Sequence, residues 1–137
     1  RKLSEPYLVY LQGKNRPFAM AGIWDSWMDP DSQRELFSFA IITTTANEVL
    51  QHIRHPRSPV ILSQESEAAW LSTDTPLADV TDLLRPWPSE GMNAYPIDPA
   101  IKHPGAQGLD LLKPIGERIM PEEALILRSS IDNQAGR

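Results

Sequence analysis

Apolar positions along the chain fall into short blocks parted by polar, proline-containing segments, and that spacing predicts short strands and helices. YLVYL, residues 7–11, is rich in β-branched and aromatic side chains and runs into the turn sequence QGKN. FAMAGIW, residues 18–24, is a second apolar run of strand length, so the two together predict a hairpin. WDSWMDPDSQRE is polar, contains Asp-Pro-Asp and reads as a loop. LFSFAIITT, residues 36–44, is apolar at successive positions, the pattern of a strand covered on both faces and therefore central in its sheet.

A helix is predicted next. Thr45 and Glu48 have the spacing of a capping box, and Val49, Leu50 and Ile53 form its apolar face. Pro56 stops it, which puts His55 at or just past its C-terminus. PVIL, residues 59–62, reads as a short buried strand. Ser63 is placed to cap a second helix with Glu65 and Glu67 in its first turn and Trp70 and Leu71 as core contacts. A third helix runs from about Pro76 to Leu84, with Leu77, Val80, Leu83 and Leu84 on one face, and RPWPSEG ends it. NAYPIDPAIKHP reads as an irregular edge strand, since prolines cannot donate to a ladder. GAQGLDLLKP is a loop leading into Leu111 and Leu112, EEALILRSS is strand or helix, and DNQAGR is a frayed tail. Strands and helices mix without regular βαβ alternation, so the fold class is α+β.

Composition adds limits. The 137 residues suit one domain with a single core. No apolar run approaches the roughly 20 residues that span a membrane as a helix. The net charge of −5 excludes a uniformly basic nucleic-acid coat but leaves room for a local basic cleft. The chain holds no cysteine, so disulfides, thiolate metal sites and cysteine nucleophiles are absent from these residues. It opens on Arg1 and enters a strand-like run almost at once, so it reads as the later part of a longer protein.

The densest chemistry lies in HIRHPRSPVIL, residues 52–62, where two prolines stiffen the backbone around an arginine. His52 and His55 could both reach one metal from a helix, but two ligands do not make a site and no third is evident nearby. His52 is read as a half-exposed helix residue, and no metal or cofactor is expected. His55, in a corner between helix end and strand, suits acid–base work near neutral pH, or alternatively a C-cap bonded to open carbonyls. Arg57 suits an anion or phosphate, or alternatively a surface salt bridge. TTTAN leaves Thr43 and Thr44 available once Thr45 caps, one of them facing a cleft. Trp24 and Trp27, flanking Asp25, could stack on a base or pack at a strand end. No Ser-His-Asp order, phosphate-binding glycine loop or paired-carboxylate motif stands out.

FAMAGIWDSW, SFAIITTTAN, HPRSPVIL, WL and YPIDPAI occur in the order and spacing of the SOS response-associated peptidase (SRAP) family, which the chain resembles over most of residues 6–115. Ser58 stands where that family usually has Met, which loosens an apolar contact, and Lys102 where it often has Asn, which bears on a loop contact. The resemblance implies a mainly antiparallel, partly barrel-like sheet with short peripheral helices. Residues 1–120 would be the C-terminal portion of the domain and 121–137 a tail. It implies a DNA-damage response protein that captures abasic sites in single-stranded DNA. There an N-terminal cysteine condenses with the opened sugar aldehyde to a thiazolidine cross-link, and peptidase activity is also attributed to the family. It implies His55 as the catalytic histidine, with Arg57 and Thr44 as DNA-binding residues, and a cytoplasmic, nucleoid-associated location in a bacterium or phage-like system. The cysteine, asparagine and glutamate of the family's site have no counterpart here, so these residues alone should not make the cross-link. The alternative is a non-catalytic module that holds single-stranded DNA by its phosphates. The missing N-terminal part of the domain is expected to pair with FAMAGIW and LFSFAIITT.

Overall fold

The computed structural model describes residues 5–13 and 17–121 and resolves them into two compact units. Its strands pair antiparallel throughout and its helices are short, an α+β arrangement. Among the described residues the strands form two-stranded ribbons and no barrel closes.

Among the described residues, the first unit comprises 5–13, 48–54 and 88–121. Strand β1 (Tyr7–Leu11) does not form the hairpin its sequence predicts. It pairs with the last strand, Met92–Pro96, in the register Tyr7↔Pro96 to Leu11↔Met92. Met92–Pro96 is not an edge: on its other side Ile119 N–H donates to Ala94 O at 2.8 Å and Ile115 N–H to Pro96 O at 3.0 Å. Pro96 is tolerated because it is the last residue of the strand, where only its carbonyl is asked to bond. Gly116 comes so close there that a Cβ would lie 2.8 Å from Pro96 Cγ.

Helix α1 (Glu48–His52) buries Val49 and Leu50 in this unit, whose other buried apolar residues are Leu11, Met92, Ala94 and Ile97. A fully buried Val49 contributes about 1.5–3 kcal/mol by leaving water. The N-terminal amide of this helix is met by Ser89: Glu48 N–H donates to its Oγ at 3.2 Å. Thr45 is therefore not the cap, because it is taken up as a strand residue. Asn93, with no solvent exposure, holds the chain at Met120 by accepting from its N–H at 3.0 Å and donating to its carbonyl at 2.9 Å. That exchange satisfies a buried amide that would otherwise cost stability.

Among the described residues, the second unit comprises 17–47 and 55–87. Its strands are β2 (Ala19–Met20), β3 (Gly22–Met28), β4 (Glu35–Ile41), β5 (Thr43–Thr45), β6 (Arg57–Pro59) and β7 (Ile61–Leu62), and β8 is the Met92–Pro96 strand already described. Strand β2 pairs with β7, β3 with β4, and β5 with β6. The three ribbons leave one junction. Ala21 N–H donates to Val60 O at 2.8 Å, Val60 N–H to Ile42 O at 2.9 Å, and Ile42 N–H to Ala21 O at 2.9 Å. Around it Ala21, Val60 and Leu62 are buried, with Ala19, Ile42, Trp70, Leu83 and Leu84 packed against them. Trp70 adds an indole N–H bond to Gly22 O at 3.2 Å.

Trp70 comes from helix α2 (Gln64–Leu71), capped as expected by Ser63, whose Oγ accepts from Ser66 N–H at 3.3 Å. Leu71 is not a core contact, being 81% exposed. Helix α3 (Leu77–Asp82) begins after Pro76, but its Leu77 is exposed, so the apolar face narrows to the Leu83 and Leu84 end.

WDSWMDPDSQRE is not a loop throughout: β3 continues to Met28, and the turn closes within residues 29–34. The turn is local polar chemistry, since Asp29 accepts from Asp31 N–H and from the Ser32 hydroxyl, and these bonds hold its carboxyl below the usual carboxylate range. Nor is 36–44 a central strand. Every residue of β4 is exposed, so the run of apolar residues that predicted burial lies on a hairpin that, among the described residues, is covered on neither face. EEALILRSS and DNQAGR lie outside the described residues.

Candidate nucleic-acid interface

Strands β5 and β6 pair as Thr43↔Pro59, Thr44↔Ser58 and Thr45↔Arg57. Three β-branched threonines favour the extended backbone of β5. Pro56 and Pro59 fix φ on either side of Arg57 and Ser58. Directly paired residues share a face and neighbours alternate. Thr43, Thr45, Arg57 and Pro59 therefore lie on one face of the ribbon, while Thr44 and Ser58 lie on the other.

Arg57 is exposed and held by one residue. Its Nε–H donates to Thr43 Oγ1 at 2.7 Å and its Nη2–H to Thr43 O at 2.8 Å. These two donors form the side edge of the guanidinium, so the end-on edge, made by Nη1–H and the second Nη2–H, stays open. No carboxylate among the described residues pairs with it. A planar fork with its stem fixed and its end open is suited to two oxygens of a phosphate or carboxylate.

His55, also exposed, approaches the backbone of the same residue: its Nδ1 lies 2.5 Å from Arg57 O. A carbonyl only accepts, so Nδ1 carries the proton in this bond and the neutral ring presents a lone pair at Nε2. The ring is thus oriented and its second nitrogen is available to take or give a proton. The helix ends earlier than its sequence predicts. Helix α1 stops at His52, Ile53 and Arg54 intervene, and Arg54 takes a left-handed φ of 57°. His55 lies outside that helix's last turn, where the macrodipole acts.

Thr44 is half-buried opposite Ser58, which has no solvent exposure and donates its hydroxyl to Pro59 O at 2.8 Å. The ribbon thus brings His55, Arg57 and Thr43 together and sets Thr44 on the opposite face. The link from Thr43 to Arg57 is the feature that motif reading missed. The three hydroxyls were visible, but which of them meets the arginine depends on register, and only a pairing partner sets register. His52 occupies its own helix, with Nδ1 2.8 Å from Glu48 O. Trp24 and Trp27 are 73% and 58% exposed on the β3–β4 hairpin. Among the described residues no three His, Asp or Glu gather as a metal-binding group, and no helix is long and apolar enough to cross a membrane.

The family model of the SOS response associated peptidase (SRAP) matches residues 1–104, which include both strands of this ribbon and His55 between them. The chain belongs to the SRAP family. Among curated SRAP relatives, the abasic site processing protein YoqW of Bacillus subtilis (strain 168) is 33% identical over 113 residues, 82% of this chain and 49% of YoqW. The abasic site processing protein HMCES of Gallus gallus is 26% identical over 144 residues, covering 92% of this chain and 42% of HMCES. A crystal structure of a protein from Bacteroides thetaiotaomicron superposes with a TM-score of 0.72 at 34% identity, over 80% of this chain and 48% of that one. This SRAP chain therefore spans about half the length of the relatives it matches.

Proposed function

We propose that residues 1–120 are the later portion of a domain that captures abasic sites in single-stranded DNA, acting in the cytoplasm of a bacterium or phage-like system at its nucleoid. The relatives named abasic site processing proteins support the substrate class. The arrangement of Arg57 and His55 on one short ribbon carries the reading: an anion-binding fork with its end edge open beside an imidazole whose Nε2 is available. Arg57 takes a phosphate next to the lesion. Thr44 binds DNA from the opposite face of the ribbon, apart from the Arg57 phosphate.

His55 moves protons at the sugar. An abasic sugar reacts as its open aldehyde, so the ring oxygen must be protonated as the C1′–O bond breaks. An amine and a thiol then add to that carbon, one water leaves, and a thiazolidine links protein to DNA. Each of these steps needs a proton taken or given, and such a group contributes about 10²–10⁴-fold in rate. The thiol must come from outside residues 1–137, which contain no cysteine. By themselves these residues hold DNA without cross-linking it.

The same reading gives the β3–β4 hairpin its partner, the rest of the domain. Its exposed Trp24, Phe37, Phe39 and Ile41 suit apolar polypeptide. Asp25, Asp29, Asp31 and Glu35, against Arg34 alone, make the hairpin acidic and repel phosphate.

The test uses the full-length gene product and two oligonucleotides, one with a true abasic site and one with a tetrahydrofuran analogue that cannot open. Arg57→Ala is expected to weaken binding to the analogue and to lower the slope of log affinity against log salt by about 0.7, one contact on a single strand. An unchanged slope rejects Arg57 as a phosphate ligand. A full-length product that binds the abasic strand but never becomes covalently attached, by denaturing gel, supports the non-catalytic reading instead.

A further inference from the structure

The sequence offered Thr43 as a leftover hydroxyl, and the function above rests on its neighbours. We infer that Thr43 is the positioning residue that selects which edge of Arg57 meets DNA. This inference rests on the phosphate reading of Arg57 and adds to it a cause for the geometry.

A guanidinium has two edges able to form paired hydrogen bonds, the side edge (Nε–H with Nη2–H) and the end edge (Nη1–H with Nη2–H). A solvent-exposed arginine samples many rotamers, and fixing it on a phosphate costs side-chain entropy. Here the cost is met before DNA arrives. Thr43 offers a hydroxyl and a carbonyl at 2.7 and 2.8 Å, and together they fill the side edge. Only the end edge is left for a phosphate. Its direction is set by β5, to which Thr43 belongs, through the pairing of Thr43 with Pro59 and of Thr45 with Arg57. Through its carbonyl the same Arg57 orients His55. The proton carrier and the phosphate fork thus take their positions from one residue, and Thr43 holds that residue's side chain. The bond to a main-chain carbonyl needs no particular side chain at position 43, but the bond to Nε needs a hydroxyl there. Valine, equal in shape and well suited to a strand, keeps the first bond and loses the second.

The experiment measures binding of the full-length gene product to the tetrahydrofuran-containing single strand over a salt series. The variants are Thr43→Val, Thr43→Ser, Arg57→Ala and the double variant Thr43→Val/Arg57→Ala. Thr43→Val is expected to weaken binding about threefold to tenfold, the range of one hydrogen bond to a charged group with partial compensation. Thr43→Ser should restore wild-type affinity. In the Arg57→Ala background Thr43→Val should have no further effect, because its role is exerted only through the guanidinium. Equal losses from Thr43→Val in both backgrounds, or failure of serine to rescue, overturns the positioning role. Loss on Arg57→Ala with wild-type binding by Thr43→Val overturns it while leaving the phosphate contact standing. Wild-type binding and salt slope in Arg57→Ala would overturn the phosphate reading and this inference together.

Discussion

Two ribbons leave the same backbone junction and differ in nearly everything else. The β5–β6 ribbon is short and polar, with its charged side chain tied to threonine and its histidine tied to a carbonyl. The β3–β4 hairpin is longer and carries Trp24, Trp27, Phe37 and Phe39 in water. Its register puts Trp24, Phe37, Phe39 and Ile41 on one face, and the Trp24 and Phe37 rings lie 6.3 Å apart. The first ribbon has its side-chain bonds made within the chain. The second has apolar surface that nothing among the described residues covers. A ribbon finished by its own hydrogen bonds can present chemistry, whereas one unfinished in hydrophobic burial presents an interface.

The sharpest way to break this contrast is at His55. His55→Ala in the full-length gene product should slow covalent attachment to abasic single strands by about 10²–10⁴-fold while leaving affinity for the tetrahydrofuran analogue nearly intact. His52→Ala, whose ring is bonded within its own helix, should change neither. Equal slowing by both would remove His55 from the role of specific proton carrier, and this is read by single-turnover cross-linking. At the shared junction, Val60→Ala leaves a cavity in a fully buried position and should cost about 2 kcal/mol. Because both ribbons hang from Val60, the loss should appear in tryptophan fluorescence of the hairpin and in DNA affinity alike. A variant that loses only one would show the ribbons to be independent.

On the hairpin itself the effect is on association rather than folding. The 137-residue chain expressed alone should aggregate, with the β3–β4 face as an adhesive surface. Trp24→Ser with Phe39→Ser should raise its monomer fraction by light scattering and change stability by only about 0.5 kcal/mol, as for exposed positions. A soluble, sharply melting monomer of the unmodified chain would sink the idea that this face is an unfilled interface. The smallest effect belongs to the turn. Asp29 is held below the usual carboxylate range first by the Ser32 hydroxyl and then by the Asp31 amide. Its folded pKa is depressed, so its contribution is present above the unfolded carboxylate pKa and is lost as pH falls through the folded one. Acidification below the ordinary carboxylate range should therefore loosen the turn, seen as a shift of the Ser32 amide resonance. Asp29→Asn should abolish that pH dependence.

What could be read from the sequence was what local chemistry decides. Ser63 capping α2, Pro76 opening α3 and the polar turn around Asp29 all follow from residues within four positions of one another. Pairing did not follow. YLVYL and FAMAGIW look like hairpin partners because they are adjacent, but their true partners lie some eighty and forty residues away, as the Leu11↔Met92 and Ala19↔Leu62 registers show. Burial failed in the same way. An apolar run such as LFSFAII states a demand for cover and does not say whether this chain supplies it. At the site, His55 and Arg57 were visible as a motif, while the contact of Thr43 with Arg57 required the β5–β6 register. That lies beyond composition because a one-residue slip exchanges the faces.

The ring of three amides at Ala21, Ile42 and Val60 has a consequence for how such a molecule can change. Each of these three residues gives one bond to the next and receives one from the previous, using main-chain atoms only. Side chains at the ribbon tips can therefore be exchanged, and tips lengthened, without disturbing the ring. Inserting or deleting a single residue near any of the three positions would displace the pairing of every ribbon at once. Changes of length can be accommodated at the far ends of the arms, while the hub holds its residue count fixed.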